Sequence, residues 1–331
     1  MRTVKLGGGG LEVPAIGLGC MGLSEFLGPT DHDQALATLR AAARLGVTFL
    51  DTSDYYGVDF ANERLIGGFL AERRADGPIT VATKFAAVRA PGTGELVGVR
   101  SDPAYVREAC EGSLRRLGVE RIDLYYLHHP DFATPIEDTV GAMAELVAEG
   151  KVAHLGLSNV DARQLRAGHA VHPIAAVQNE WSLFSRDDEA SVGPLCAELG
   201  IGYVAYAPFS RGFLTGRHVS TDGLAPDDLR RGLPRYQAAN ATHNEALLAP
   251  VRRAAEAHGA TMAQVALAWL AQRGDELGVT VVPIPGTRSP ERLRENAAAL
   301  DLTLTPEEMA ALDPIAAQVR GARMPPPPDL H

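Results

Sequence analysis

The sequence predicts an α/β chain folded as one (β/α)8 barrel, a TIM barrel, with an N-terminal β-hairpin and two extra helices. Three observations carry this prediction. Short apolar runs at 15–19, 47–51, 79–83, 122–127, 152–157, 174–177, 201–206 and 279–283 lack polar alternation. Parallel strands buried on both faces read in this way. A helical pattern follows each run, and eight such units in roughly 300 residues suit a closed barrel. The competing doubly wound sheet usually carries a Gly-rich turn leading from its first strand straight into a helix. Gly17-Leu18-Gly19-Cys20-Met21-Gly22 has that spelling, but no convincing helix begins before Thr30.

Taken in order, Thr3–Leu6 and Leu11–Pro14 flank four glycines, which is a hairpin signal. No helix follows that glycine run, so a phosphate loop is the weaker reading. A helix is predicted over 31–45, with Thr30 or Asp31 as N-cap and Gly46 as its stop. Helices over 62–73, 103–117, 136–149, 161–170 and 187–199 then alternate with the strands. A long polar loop over 207–240 leads into helices at 243–258 and 261–273. A helix over 290–299 follows the last strand. The final helix, 305–319, opens with a Thr-Pro-Glu-Glu capping sequence. The whole chain, 1–331, reads as one domain. About 320–331 reads as a flexible tail, extended and mobile around its Pro-rich run at 325–328.

The 331 residues are 46% hydrophobic and 22% charged, an ordinary globular composition. The net charge is -10 and no long Lys/Arg cluster occurs, which argues against a nucleic-acid partner. Cys20, Cys110 and Cys196 lie far apart without metal spacing, as buried thiols in a reducing compartment do. The first twenty residues lack the order of a signal peptide, and no apolar run approaches the roughly 20 residues that span a bilayer. The expectation is a cytoplasmic protein with a small-molecule partner, no membrane and no metal. Oligomeric state has no signature in the sequence.

Catalytic groups in such barrels sit at the C-terminal ends of the strands. The second strand ends in Asp51, with Tyr56 just beyond; the third ends in Thr83-Lys84 and the fourth in His128-His129-Pro130. The next three end in Ser158-Asn159, Gln178-Asn179, and Tyr206 with Pro208. Each has a plain structural reading. Asp51 can cap a helix, Tyr56 can pack over the core, Lys84 can be a solvated charge, and His128 can be a satisfied core residue. Together they bring an acid, a phenol, an ammonium and an imidazole to one rim.

The motifs extend beyond these positions. They include Asp51-Thr52-Ser53-x-x-Tyr56-Gly57 with Asn62-Glu63, Thr83-Lys84, and Leu124-Tyr125-Tyr126-Leu127-His128. Gly156-Leu157-Ser158-Asn159, Gln178-Asn179-Glu180, Ala205-Tyr206-Ala207-Pro208 and Arg211-Gly212-Phe213-Leu214-Thr215-Gly216 follow. Ile284-Pro285-Gly286-Thr287-Arg288, Arg292 and Glu295-Asn296 complete the set. In this order, over nearly the whole chain, they resemble the aldo-keto reductase superfamily. The likeness is greatest to the bacterial and plant branches that reduce small aldehydes and ketones.

The resemblance implies NADPH-dependent carbonyl reduction by a tetrad of Tyr56, Asp51, Lys84 and His128. A carbonyl receiving hydride needs a proton, and a phenol with a pKa near 10 is a reluctant donor at neutral pH. Lys84 would lower that pKa, Asp51 would hold Lys84, and His128 would orient the carbonyl oxygen. By matching position, Ser158, Asn159 and Gln178 would meet the nicotinamide carboxamide, with Tyr206 stacked on the ring. Pro208, Ser210, Arg211, Gly212, Leu214 and Gly216 would lie along the pyrophosphate. Gly286, Thr287, Arg288 and Arg292 would hold phosphate, the two arginines favouring a 2′-phosphate and hence NADP(H). Glu295 and Asn296 would meet the adenine.

His129 stands where many relatives carry an arginine. It reads as a second rim imidazole, a packing residue or part of a substrate pocket. Tyr55, Phe85 and Trp181, with Phe26 and Phe132, suggest an apolar substrate pocket; ordinary loop packing is the equal reading for each. Two competing functions remain. A metal-dependent barrel hydrolase usually needs histidines spread over several strand ends, whereas here the first strand ends in Gly17-Leu18-Gly19. A non-catalytic NADPH-binding regulatory protein of the same fold has the complete tetrad against it.

Overall fold

The computed structural model describes residues 1–73 and 77–325. The predicted tail from 326 onward lies outside the described residues. Strands β1 (Thr3–Leu6) and β2 (Leu11–Pro14) form the N-terminal hairpin. Then come β3 (Leu18–Gly19), α1 (His32–Leu45), β4 (Phe49–Asp51), α2 (Ala61–Glu72), β5 (Thr80–Phe85), β6 (Ala87–Arg89) and β7 (Leu96–Val99). They are followed by α3 (Pro103–Leu117), β8 (Ile122–Leu127), α4 (Ile136–Ala148), β9 (Val152–Ser158), α5 (Ala162–Val171), β10 (Ile174–Glu180), α6 (Val192–Leu199) and β11 (Gly202–Tyr206). The chain continues through α7 (Ala238–Ala246), α8 (Ala249–His258), α9 (Met262–Glu276), β12 (Val281–Pro283), α10 (Pro290–Ala298), α11 (Pro306–Leu312) and α12 (Ile315–Gln318).

The eight-stranded sheet runs β12-β11-β10-β9-β8-β5-β4-β3, with parallel neighbours throughout. It closes into a barrel at a seam. Gly17 N–H donates to Pro283 O at 2.9 Å, and Gly19 bridges Gly286. A Cβ on Gly19 would stand 2.6 Å from the Ile284 carbonyl oxygen, so the seam closes only around glycine.

Side chains alternate along each strand, and this alternation builds the site. Phe49, Ala82, Leu124, Tyr126, Ala176, Val204 and Val282 share one buried cluster inside the barrel. Two residues further along the chain from Phe49, Ala82, Tyr126, Ala176, Val204 and Val282 stand Asp51, Lys84, His128, Gln178, Tyr206 and Ile284. These form the top layer of the same stack. The hairpin supplies Leu6, Leu11 and Val13 to that cluster and plugs the opposite end. Gly156 belongs here for a similar reason: a Cβ on it would lie 2.3 Å from the Tyr126 ring.

Several elements differ from expectation. The first barrel strand pairs only at Leu18–Gly19. Between β5 and α3, where the sequence predicts no further strand, the chain forms the β6–β7 hairpin around Gly92 and Gly94, both in the left-handed region. The predicted 243–258 helix is two helices, with Pro250 in the first turn of α8, where its missing N–H costs nothing. Pro314 likewise precedes α12 and divides the predicted last helix. The predicted 187–199 helix breaks at Ser191 into a 3-10 turn and α6.

Candidate active site

Asp51 ends β4 and pairs in register with Ala82. Lys84 therefore stands one side-chain period beyond Asp51, on the same inward face. Its Nζ donates to Asp51 Oδ1 at 2.5 Å, to Thr52 O at 2.8 Å and to Tyr56 Oη at 3.4 Å. Gln178 Nε2 donates to the other Asp51 oxygen at 2.7 Å. A tight turn delivers Tyr56: its N–H donates to Ser53 O at 3.2 Å, and its carbonyl accepts from Asn62 N–H at 3.1 Å. His128 lies just past β8, anchored by its N–H on Phe85 O. Its Nδ1 is 3.2 Å from Ser53 Oγ, and its ring meets Tyr56 edge-on at 5.8 Å.

The outward-facing motif residues hold the backbone of this corner. Thr83 Oγ1 and Arg116 Nε donate to the two oxygens of buried Glu63, at 2.6 and 2.5 Å. Asn62 accepts from Thr52 Oγ1 and donates to Cys20 O. The start of α2 is thereby pinned to β4 and β5.

Burial opposes the Lys84 charge, but Asp51 and then Tyr56 outweigh it and hold the ammonium above its ordinary pKa. Burial pushes the Asp51 carboxyl up, against the pull of Lys84 and Gln178. For Tyr56, burial is the larger influence and raises the phenol above its ordinary value, while Lys84 pulls it down. The expected sign of the Lys84 effect holds; the net shift is nevertheless upward, so Tyr56 stays protonated at neutral pH. Burial, then His129 and Lys84, hold the His128 imidazole well below its usual range and keep it neutral.

Asp51, Tyr56 and His128 face a cavity of about 650 Å³. Ser158, Asn159, Gln178, Tyr206, Pro208, Arg211 and Gly212 line it, as do Gly286, Thr287, Arg288, Arg292, Glu295 and Asn296. Ser158 and Gln178 are direct cross-strand partners. Asn159, at φ 55°, donates to the His128 carbonyl at 3.0 Å and accepts from Tyr206 Oη at 2.8 Å. Arg211, at φ 60°, lies 5.7 Å from the Tyr206 ring. Such left-handed non-glycine residues gather where surroundings enforce a strained backbone. Arg288 donates to the carbonyls of Leu27 and Pro29. Glu295 accepts from Thr261 Oγ1 at 2.8 Å.

A sequence model described as the Aldo/keto reductase family matches residues 15–317. The chain belongs to the aldo/keto reductase family. Among solved structures it is similar to the glycerol dehydrogenase AKR11B4 of Gluconobacter oxydans, at 29% identity over 98% of each chain, with a TM-score of 0.85. It is also similar to the thermostable aldo-keto reductase Tm1743, solved with the inhibitor epalrestat. That likeness has 29% identity, covers 95% of this chain and 100% of the other, and gives a TM-score of 0.75. As an aldo/keto reductase the chain is an oxidoreductase, and its general chemistry is carbonyl reduction.

Not every residue carried over by resemblance reaches the cavity of this aldo/keto reductase. Lys84 lies fully buried behind Tyr56. Ser210 is buried and accepts from Arg235 Nη1 at 3.2 Å, and Leu214 packs in the core. Gly216 makes a left-handed turn against Met262. Phe85 and Trp181 are corrections. With Lys84 facing inward, Phe85 must face the helices, and it stacks on Tyr125 at 5.0 Å. Trp181 is buried against Tyr203 and donates to Glu189 Oε1 at 3.0 Å. Phe132 is 85% exposed and lies away from the cavity lining. Tyr55, Phe26 and His129 do line the cavity, and His129 also stacks on His128 at 4.8 Å.

Four contributors do not stand out in the sequence. Ser53 touches His128, Arg323 donates to Tyr206 Oη at 2.9 Å, and Arg89 grips Glu25. Ser53 lies within the first motif, whereas the others become visible only once the rim loops are folded. No helix among the described residues is long and apolar enough to cross a membrane.

Proposed function

We propose that this aldo/keto reductase uses NADPH to reduce an aldehyde or ketone to the alcohol, with Tyr56 as general acid. The observation that carries the reading is the buried Asp51–Lys84–Tyr56 chain, which meets His128 at the wall of one cavity. The cavity's groups fit a nicotinamide dinucleotide. Gln178 uses its Nε2 on Asp51 and so offers its Oε1, while Ser158 offers a hydroxyl. An acceptor and a donor side by side complement a primary carboxamide. Tyr206 provides a ring platform, and Arg288 and Arg292 at the head of α10 suit phosphate. Asn159 is engaged with His128 and Tyr206, which supports an orienting role.

The bound dinucleotide would supply the hydride. As negative charge develops on the carbonyl oxygen, Tyr56 donates its proton there. Lys84 Nζ, 3.4 Å from the phenol oxygen, stabilises the tyrosinate left behind, and Asp51 fixes Lys84. In the tautomer whose Nδ1 accepts from the Ser53 hydroxyl, neutral His128 presents Nε2–H to the same carbonyl oxygen. The likeness to a glycerol dehydrogenase supports an alcohol–carbonyl pair as the reacting couple. The direct test is consumption of NADPH by the purified protein with 4-nitrobenzaldehyde. Turnover is the expected result. Binding of NADPH without turnover of any aldehyde, ketone or sugar would sink the reading in favour of a non-catalytic cofactor-binding protein.

A further inference from the structure

Several rim segments meet at one guanidinium. Arg89, the last residue of β6, donates from Nη1 and Nη2 to the two Glu25 oxygens at 2.6 and 2.7 Å. Nη1 also donates to Tyr55 O at 2.8 Å, and Nε to Gly94 O at 2.5 Å. Glu25 in turn accepts from Gly57 N–H at 2.9 Å. Glu25 precedes Phe26, Gly57 follows Tyr56, and Gly94 lies in the β6–β7 turn. The guanidinium also lies 4.8 Å from the Tyr55 ring and 5.7 Å from the Phe26 ring. Those rings stack on each other at 5.6 Å and 26°. Phe26 sits at φ 74°, a conformation that a bulky residue keeps only when its surroundings enforce it. The Arg89 and Glu25 side chains are 12% and 28% exposed, so the pair is partly shielded from water.

Both rings line the cavity, and both also contact Tyr56 edge-on. We propose that Arg89 is a specificity-determining positioning residue that clamps Tyr55 and Phe26 into a flat aromatic wall beside the reacting carbonyl. The wall favours carbonyl compounds bearing an aryl group over small polyhydroxy aldehydes. An aryl ring stacks on such a wall, whereas hydroxyl groups laid against it lose water without gaining partners. Glu25 neutralises the clamp, so it adds no free charge to the pocket. The proposal rests on the reductase reading above.

The test compares kcat/KM for 4-nitrobenzaldehyde and for glyceraldehyde, with NADPH, in the wild-type protein, Arg89→Met and Glu25→Gln. The wild-type protein should prefer the aryl aldehyde. In Arg89→Met the preference should fall about 3- to 10-fold, the size of an aromatic-pair contribution. The loss should appear in KM for the aryl substrate, with NADPH affinity unchanged. Glu25→Gln, which keeps the shape of the pair, should shift the ratio the same way by less. A general loss of structure lowers both substrates together, so an unchanged ratio in the variants overturns the clamp whatever happens to absolute rates. If Arg89→Met does not fold, an unchanged ratio in Glu25→Gln overturns the clamp by itself. If the wild-type protein reduces neither aldehyde, this proposal falls; the reductase reading falls with it only if no other aldehyde, ketone or sugar is turned over.

Discussion

Lys84 is buried without a route to water, and its charge is held by one carboxylate and a backbone carbonyl. Removing one partner of such a pair leaves the other charge uncompensated, at a cost of roughly 3–5 kcal/mol. Asp51→Asn should therefore lose both activity and stability, measured as a lower midpoint in urea unfolding. A variant as stable as the wild type would show that the pair carries no such load. At this scale much of the site is legible in the sequence. Asp51, Lys84 and His128 end apolar runs, and the barrel rule gives strand ends a meaning. Phe85 departs from its expected place in the pocket because strand alternation overrides its aromatic character: next to an inward Lys84 it can only face the helices. The net shift on Tyr56 is hidden for another reason, since burial is a property of the assembled rim.

Elements govern what the sequence shows less well. Pro250 and Pro314 break helical patterns that a periodicity argument runs together. The β6–β7 hairpin pairs only three residues against four with a register shift, too short for alternation to declare it. By contrast, α10 is placed almost to the residue, because Ser289 and Pro290 spell a helix start. Its first turn argues for the proposed cofactor preference. Arg292 is exposed and lines the cavity, while Arg288 is partly committed to the carbonyls of Leu27 and Pro29. Arg292→Ala should weaken NADPH binding by about tenfold, the value of one charge-assisted hydrogen bond, and leave NADH binding nearly unchanged. Titration of cofactor fluorescence measures both; equal losses for the two cofactors would remove the 2′-phosphate role.

The whole molecule holds a neutral imidazole at the barrel mouth, and this links the site to stability. His128 is depressed well below its ordinary value by burial, then by His129 and Lys84. The unfolded chain therefore takes up a proton near pH 6.5 that the folded protein refuses. Its stabilising contribution is complete above about pH 6.5 and is lost as pH falls toward the depressed folded value. His128→Asn should remove that part of the acid sensitivity, seen as a flatter dependence of the unfolding midpoint on pH below about 6.5. An unaltered slope would mean that His128 is already charged in the fold. Barrel closure is predictable from the count of strands, but the seam at Gly17 and Gly19 is not, since its pairing is a contact between the first and last units of the chain. That closure brings eight strand ends into one mouth, where Tyr56 is the proposed proton donor. The most direct measurement is NADPH-dependent turnover of 4-nitrobenzaldehyde by Tyr56→Phe beside its NADPH dissociation constant. In Tyr56→Phe kcat should fall about 10²-fold or more with cofactor affinity retained; near-normal turnover would rule Tyr56 out as the general acid.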